Sequence, residues 1–392
     1  MWTVKLRDFL DPNLGVSRAR NSRTATVQNL SMRWALCIVF VSLQFSLWSP
    51  STCDTPTRPE RYAVNLDLEP QDRWKEIVRD FAPDILELLK EVKKRVPAVV
   101  IDIVSIIEAD IEKYIPYPYN LEIVGIATNA QVTVGEVVLG NTIYELTAFG
   151  HGGTGALACT SIVAEALNGT IYHGRNLDYT FADVLRNMTI TVDFQQSGKT
   201  VYTGTTFAGY VGLLTGQKPY GFTVTLDERD QGDWWMNALE ALVAGTHGVA
   251  GFLIRDTIAD PSMDFENAVT NLAYKPLIAP CYIIVGGVGP MEGAVITRDR
   301  LAALDIWRLN AIDGRWFLVE TNYDHWDPPP SSDDRRDPAI RGMNATGRAN
   351  LSRGSLFNIL STPPVLNSGT SYTVIMSAAI PELYSVWIRH AN

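Results

Sequence analysis

Leu157-Ala158-Cys159-Thr160-Ser161-Ile162-Val163 is followed, ten residues on, by His173-Gly174-Arg175-Asn176-Leu177-Asp178-Tyr179. The first run sets small, polar and β-branched residues around one cysteine, as a short strand does. In one reading Cys159 is an ordinary core residue, a small hydrophobe at a strand start. In the other it is a hidden N-terminus. Gly150-His-Gly-Gly-Thr-Gly lies directly upstream and gives the chain room to turn. A thiol placed there can attack the carbonyl of Ala158 in an N-to-S acyl shift. Cleavage between Ala158 and Cys159 then frees an α-amine, whose reference pKa is about 7.7–8.0. Such an amine serves as general base without a histidine.

Polar partners for that terminus stand at suggestive places. Asp178 is expected to hold the α-amine. Arg175 is expected to brace Asp178 and point donors toward the acyl oxygen. Asn322, in Glu320-Thr-Asn-Tyr-Asp-His-Trp, follows an apolar run. Its amide is a fair oxyanion donor, worth about 2.7–4 kcal/mol when well aimed. Glu228 and Arg335 are weaker candidates from the residues alone. The five histidines form no HExxH or other close metal-ligand set, and there is no Gly-x-Ser-x-Gly and no CxxC. We therefore expect no metal and no cofactor. A Cys-His pairing with His173 or His325 stays open on spacing.

Composition bounds the setting. The chain of 392 residues is 46% hydrophobic and 19% charged, with a net charge of -10, which excludes a disordered or collagen-like protein. Residues 1–31 carry a local +3 and Arg33 one more, so the remainder stands at -14. A body that acidic has no electrostatic reason to hold nucleic acid. Trp34 to Trp48 is apolar apart from Ser42, Gln44 and Ser46, short for a membrane span and suited to a signal-peptide core. Met32-Arg33-Trp34 reads as a start, and cleavage is expected near residues 49–52. A membrane anchor is the alternative. Of the four cysteines, Cys37 falls in that segment, which leaves an odd three in an exported chain. Cys281 reads as buried at a strand start, with a bridge to Cys53 left open. Four sequons, at Asn168, Asn187, Asn344 and Asn350, agree with luminal export and are expected to lie in turns facing water.

The pattern along the chain is helices, strands, helices, strands. Residues 53–69 read as extended. Trp74, Ile77, Val78, Phe81, Ile85, Leu88, Leu89 and Val92 recur at helical spacing, and a second apolar helix spans 98 to 113. These faces either pack on a core or meet lipid. Glu122 to Thr128 resembles a strand, and Gln131 to Val138 a strand or short helix. Short strands follow at 160–164, 170–173, 189–194 and 199–207, with Asn168-Gly169 turning between the first two. Glycine-flanked runs from 209 and 221 continue the sheet. Helices are expected at 233–246, 264–275 and 353–360, and strands at 281–286, 293–298, 316–322 and 370–377. The tract Trp326 to Pro338 is too charged and proline-rich for an element and reads as a loop. This order suits a layered α+β domain.

Cys159-Thr-Ser-Ile-Val-Ala, His173-Gly-Arg-Asn-Leu-Asp-Tyr, Gly209-Tyr-Val-Gly-Leu-Leu-Thr-Gly, Glu320-Thr-Asn-Tyr-Asp-His-Trp, Asp333-Asp-Arg-Arg and Asn344-Ala-Thr-Gly-Arg-Ala-Asn-Leu-Ser together resemble the N-acylethanolamine-hydrolysing acid amidases, and in part the acid ceramidases. The resemblance spans about residues 60 to 390. It implies an N-terminal-nucleophile hydrolase with an αββα sandwich and an N-terminal helical segment. It implies a lysosomal glycoprotein zymogen: 1–52 leader and signal, 53–158 an α-subunit, 159–392 a β-subunit holding the catalytic core. The two pieces would stay together as a heterodimer. Cys159 carries over as nucleophile, Arg175 and Asp178 as its partners, and Asn322 as oxyanion donor. Glu228 and Arg335 match family active-site residues. The implied substrate is a lipid amide, a saturated N-acylethanolamine first and a ceramide as the rival, with the N-terminal helices associating peripherally with membranes or micelles. A non-catalytic lipid-binding glycoprotein, with Cys159 in its core, is the reading from another class.

Overall fold

The alternating residues Tyr62 and Val64 become strand β1 (Glu60–Asn65), and the helical stripes become α1 (Lys75–Lys93) and α2 (Ala98–Ala109), with α3 (Ile111–Tyr114) closing the pair. This computed structural model describes residues 54–94, 96, 98–142, 145, 158–229 and 248–391. The leader and signal segment, Cys37, Cys53, the glycine run before Cys159 and the helix expected at 233–246 lie outside the described residues.

The stretch read as a strand at 122–128 is instead helical. It lies in α4 (Tyr119–Ala130), and α5 (Val134–Asn141) follows. Ile123, Ile126 and Ala127 are buried, and so are the polar Asn120 and Glu122. The partly exposed stripe of this helix is Leu121, Val124 and Thr128, which is mostly apolar, so no polar face marks the helical period and the run looks like a strand. α5 has a local cause: Thr133 and Glu136 form a capping box, each side chain bonded to the other's backbone N–H.

From Ala158 the strands take over. β2 (Ala158–Glu165) and β3 (Ile171–Asp178) form an antiparallel hairpin in which Cys159 pairs with Leu177 and Ser161 with Arg175. Gly169 supplies the positive φ of 86° in its turn, and Asn168 Oδ1 accepts the Thr170 N–H. Then come α6 (Ala182–Met188), β4 (Thr189–Gln196), β5 (Lys199–Phe207), β6 (Thr215–Lys218) and β7 (Phe222–Glu228). After α7 (Ala250–Ala259) and α8 (Phe265–Tyr274) the chain adds β8 (Cys281–Gly286), β9 (Gly293–Arg298), β10 (Ala303–Arg308) and β11 (Phe317–Glu320). It ends with α9 (Arg336–Thr346), α10 (Arg353–Leu360), β12 (Thr370–Met376) and β13 (Tyr384–Ile388). The loop expected to run to Pro338 therefore stops at Arg335. α6, α7, β10 and β13 had no counterpart in the sequence reading.

Two sheets stack face to face. One has eight strands in the order β1-β4-β5-β6-β7-β8-β9-β10, and the other five, β11-β2-β3-β12-β13. Val163, Ile171, Tyr282, Ile284 and Val295 fill the space between them. The opposite face of the smaller sheet, with Ile162, Ala164 and Ile375, packs on Ala339, Met343 and Leu356 of α9 and α10. Helices α7 and α8 cover the larger sheet. The result is the αββα sandwich. The segment before Cys159 is part of it, because β1 pairs in parallel with β4 and α1, α4 and α5 share one core with the larger sheet. No helix among the described residues is long and apolar enough to cross a membrane.

Candidate active site

Period two decides what the β2–β3 hairpin can offer. Cys159, Ser161 and Val163 of β2 face the gap between the sheets, together with Leu177, Arg175 and His173 of β3. Arg175 and Asp178 are three residues apart on one strand and so leave it on opposite faces. Arg175 does not brace Asp178, as the sequence reading expected. Its ion pair is with Asp227 of β7, at 3.3 Å.

Cys159 is buried, and three groups hold it. Arg175 Nη2 donates to its Sγ at 3.0 Å. Its backbone N–H donates to Asn322 Oδ1 at 2.7 Å. Its carbonyl accepts from Arg335 Nη1. Arg335 is itself fixed by two 2.7 Å bonds to Asp333, and it donates from Nη2 to Asn322 Oδ1 at 2.7 Å. Burial pushes the thiol up to about 12 in the uncut chain; Arg175 lowers it, and the nearby Asp227 and Asp178 carboxyls raise it. As it stands, the sulfur is a protonated thiol.

Asp178 sits at the same end of the hairpin. Asn367 Nδ2 donates to its Oδ2 at 2.7 Å, and Arg335 Nη1 lies 3.8 Å away. Burial raises its pKa, and Arg335 opposes that first. Asn322 is differently engaged from the expectation. Its Nδ2 donates to the Glu228 carbonyl at 2.9 Å, and its Oδ1 faces the Cys159 nitrogen. Glu228 is buried and meets Asn322 through its main chain. The structure thus gathers Cys159, Arg175, Asn322 and Arg335 into direct contact, with Asp178 beside Arg335.

Three members of this cluster escaped the sequence reading: Asp227, Asp333 and Asn367. Asp227 had a usable signal. Asp227 and Glu228 are neighbours on a strand, so only one can face the hairpin, and Thr223 and Thr225 share that face with Asp227. His173 accepts or donates to those two threonines at 2.9 and 3.0 Å, and burial drops its pKa to about 3. That neutral imidazole is held away from the thiol within the threonine pair. His325 stacks on Trp307. Cys281, which starts β8, is a free buried thiol. All four sequon asparagines are exposed; Asn187 and Asn344 lie in helices rather than turns.

An apolar cavity of about 60 Å³ adjoins the cluster. Tyr179, next to Asp178, and Leu214, whose carbonyl accepts from Arg175, form part of its wall. Ile85, Leu88 and Val92 of α1 close the other side.

Comparison with known proteins shows the family. A family model described as the beta subunit of N-acylethanolamine-hydrolyzing acid amidase matches residues 57–116, and one for linear amide C–N hydrolases of the choloylglycine hydrolase family matches residues 159–349. The first description gives the letter beta to the segment lettered α above. The chain is 48% identical over 346 residues to the N-acylethanolamine-hydrolyzing acid amidase of Cavia porcellus, covering 88% of this chain and 94% of that one. It is 37% identical over 335 residues to the acid ceramidase of Homo sapiens, covering 80% and 82%. A solved structure of the Caenorhabditis elegans N-acylethanolamine-hydrolyzing acid amidase ortholog shares 40% identity at a TM-score of 0.54, covering 59% of this chain and 99% of that one.

Proposed function

The chain belongs to the N-acylethanolamine-hydrolysing acid amidase family, and from that premise we propose that it cuts itself before Cys159 and then hydrolyses saturated N-acylethanolamines, such as the palmitoyl compound, to fatty acid and ethanolamine. The carrying observation is the grip on one residue: Cys159 has its nitrogen on Asn322, its carbonyl on Arg335 and its sulfur on Arg175. A core cysteine would have its main-chain groups met by neighbouring strand backbone, whereas here side chains hold nitrogen, carbonyl and sulfur alike.

In the first step the Cys159 sulfur bonds to the Ala158 carbonyl carbon, and the S–H proton passes to the Cys159 nitrogen as the C–N bond breaks. Water then hydrolyses the thioester and separates residues 53–158 from 159–392, the leader 1–52 being removed beforehand. In turnover the freed α-amine takes the thiol proton while sulfur attacks the substrate amide. It passes that proton to the departing ethanolamine nitrogen, and a second water releases the fatty acid. Asn322 Oδ1 already faces the nitrogen that becomes the amine, so we assign it the holding of that amine. Its Nδ2 carries two N–H bonds, so one can serve an oxyanion while the other stays on the Glu228 carbonyl. Arg335 orders both Asn322 and the Cys159 main chain.

The acyl chain enters the apolar seam between α1 and the residues Tyr179 and Leu214, which flank the end of β3 and the start of β6. The seam is too small as it stands for a whole long chain, so α1 must part from the core to admit one. Ile101 and Ile106 of α2 and Leu86 of α1 are exposed. They supply apolar contacts for peripheral association with membranes or micelles, where such substrates reside. The four exposed sequons and the acidic body suit a lysosomal glycoprotein. Identity of 48% to an acid amidase against 37% to an acid ceramidase favours the small ethanolamine leaving group.

Intact mass and N-terminal sequencing after acid incubation test the cut. A new terminus at Cys159 in the wild type, and an uncut, inactive Cys159→Ala, are expected. A two-chain, active Cys159→Ala would end the reading. Parallel assays on N-palmitoylethanolamine and a ceramide in detergent decide the substrate.

A further inference from the structure

One nitrogen of Arg175 is oversubscribed. Nη2 lies 3.0 Å from Cys159 Sγ, 3.0 Å from the Leu226 carbonyl and 3.3 Å from Asp227 Oδ1. A terminal guanidinium nitrogen carries two N–H bonds, so it cannot serve three acceptors well at once. The other nitrogen, Nη1, is spent on the Leu214 carbonyl and Thr215 Oγ1. Asp227 Oδ1 also receives Ser161 Oγ at 2.9 Å, while Oδ2 is buried without a hydrogen-bond partner among the described residues. Arg175, Ser161 and Asp227 are fully buried.

We propose that Asp227 is a positioning residue that competes with the Cys159 sulfur for Arg175, and that proton uptake on Asp227 Oδ2 yields the arginine to the sulfur and promotes self-cleavage in acid. This rests on the reading of Cys159 as nucleophile. In the N-to-S shift the thiol proton ends on the Cys159 nitrogen, so the reactive ground state is the thiol and no proton is lost overall. Sulfur gains negative character as it attacks. Arg175 stabilises that charge, and an ionised carboxylate on the same guanidinium opposes it. One proton from solvent on Oδ2 removes the opposition.

The surroundings place that event in the right range. Facing Asp227 are Arg175 and Asp178 from β3, Cys159 and Ser161 from β2, Arg335 at the start of α9, Glu320 at the end of β11, Tyr372 from β12 and Cys281 from β8. Burial dominates; Arg175, Ser161 and Arg335 favour the ionised form, and Asp178 disfavours it. The balance leaves the carboxyl raised to about 7. Asp227 is therefore ionised above neutrality and protonated in acid.

The test is the pH profile of self-cleavage, followed by intact mass, for the full chain and for Asp227→Asn, Asp227→Glu and Ser161→Ala. Asp227→Asn, neutral at every pH, is expected to cut near pH 8 about tenfold faster than the wild type, whose carboxyl is then only about one-tenth protonated. Asp227→Glu is expected to restore acid dependence. Ser161→Ala removes a donor to the carboxylate and should move the midpoint to higher pH. A merely structural Asp227 would lower yield without moving the midpoint. Wild-type midpoints in both Asp227→Asn and Ser161→Ala overturn the proposal, and Ser161→Ala decides alone should Asp227→Asn fail to fold. Cutting in Cys159→Ala would instead overturn the nucleophile reading, with no bearing on the midpoints.

Discussion

Both terminal nitrogens of Arg255 meet the carboxylate of Glu122, at 2.5 and 2.8 Å, in full burial. The two residues lie on opposite sides of the Ala158–Cys159 bond. Arg73 and Trp74 Nε1 add 3.0 and 2.7 Å bonds to the same carboxylate, and the Arg255 guanidinium lies 4.7 Å from the Phe194 ring centre. Removing one member of such a pair strands the other charge, at a cost of about 3–5 kcal/mol. Glu122→Gln should therefore cut normally and then lose its N-terminal piece. Size exclusion of the acid-treated protein checks this; an intact two-chain particle of wild-type stability would refute it.

Asn322 offers a choice between two roles that a pair of variants separates. Asn322→Ala removes the acceptor facing the Cys159 nitrogen and should slow self-cleavage by roughly tenfold to a hundredfold. Asn322→Asp keeps an oxygen there and should cut faster than the alanine variant. Equal impairment of both, measured by the rate of appearance of the new terminus, would return Asn322 to the oxyanion-donor role.

The cavity behind Tyr179 makes a prediction about chain length. Leu88→Trp adds bulk at its α1 wall without touching Cys159. It should raise KM for N-palmitoylethanolamine several-fold, leave a short-chain homologue nearly unaffected, and leave self-cleavage at its wild-type rate. A uniform rise in KM for all chain lengths would place the acyl chain elsewhere.

His173 makes stability depend on pH. Its folded pKa of about 3 lies below the ordinary 6.5. Below pH 6.5 the unfolded chain binds a proton that the folded chain refuses, so stability is full above that value and falls as acid increases. Between pH 6.5 and 4.5 the loss from this one group is roughly 2–3 kcal/mol. His173→Gln, which retains a donor and an acceptor between Thr223 and Thr225, should show a flatter fall in urea midpoint across that interval. A parallel fall in both proteins would show that other groups carry it.

α1 declares itself because its apolar residues recur at helical spacing against a charged, exposed face, whereas β2, buried from Cys159 to Glu165, was read from its small and β-branched residues. α4 does not declare itself: Glu122 is buried, Gly125 packs against the Gln71 backbone, and the partly exposed stripe of Leu121, Val124 and Thr128 is mostly apolar. α5 was left between strand and short helix, and the capping box of Thr133 and Glu136 that decides it went unread. α9 was hidden by Pro338, which a helix tolerates within its first turn. At the site, Cys159 and Arg175 could be found from the chain, but their relation could not. Strand parity sends Arg175 and Asp178 apart, and the partner of Arg175 arrives from β7, a strand of the other sheet. Asp333 and Asn367 come from loops whose approach no local pattern records.

The parallel pairing of β1 with β4 has a kinetic meaning. Residues 60–65 are laid into the sheet while the chain is still continuous, when their encounter with β4 is unimolecular. The proposed cut before Cys159 would inherit that union. Two separately made pieces would instead have to find each other by diffusion, one of them with an open sheet edge that invites wrong neighbours. Order of events thus substitutes for affinity: a mature particle can be long-lived even if its halves, once parted, reassemble poorly.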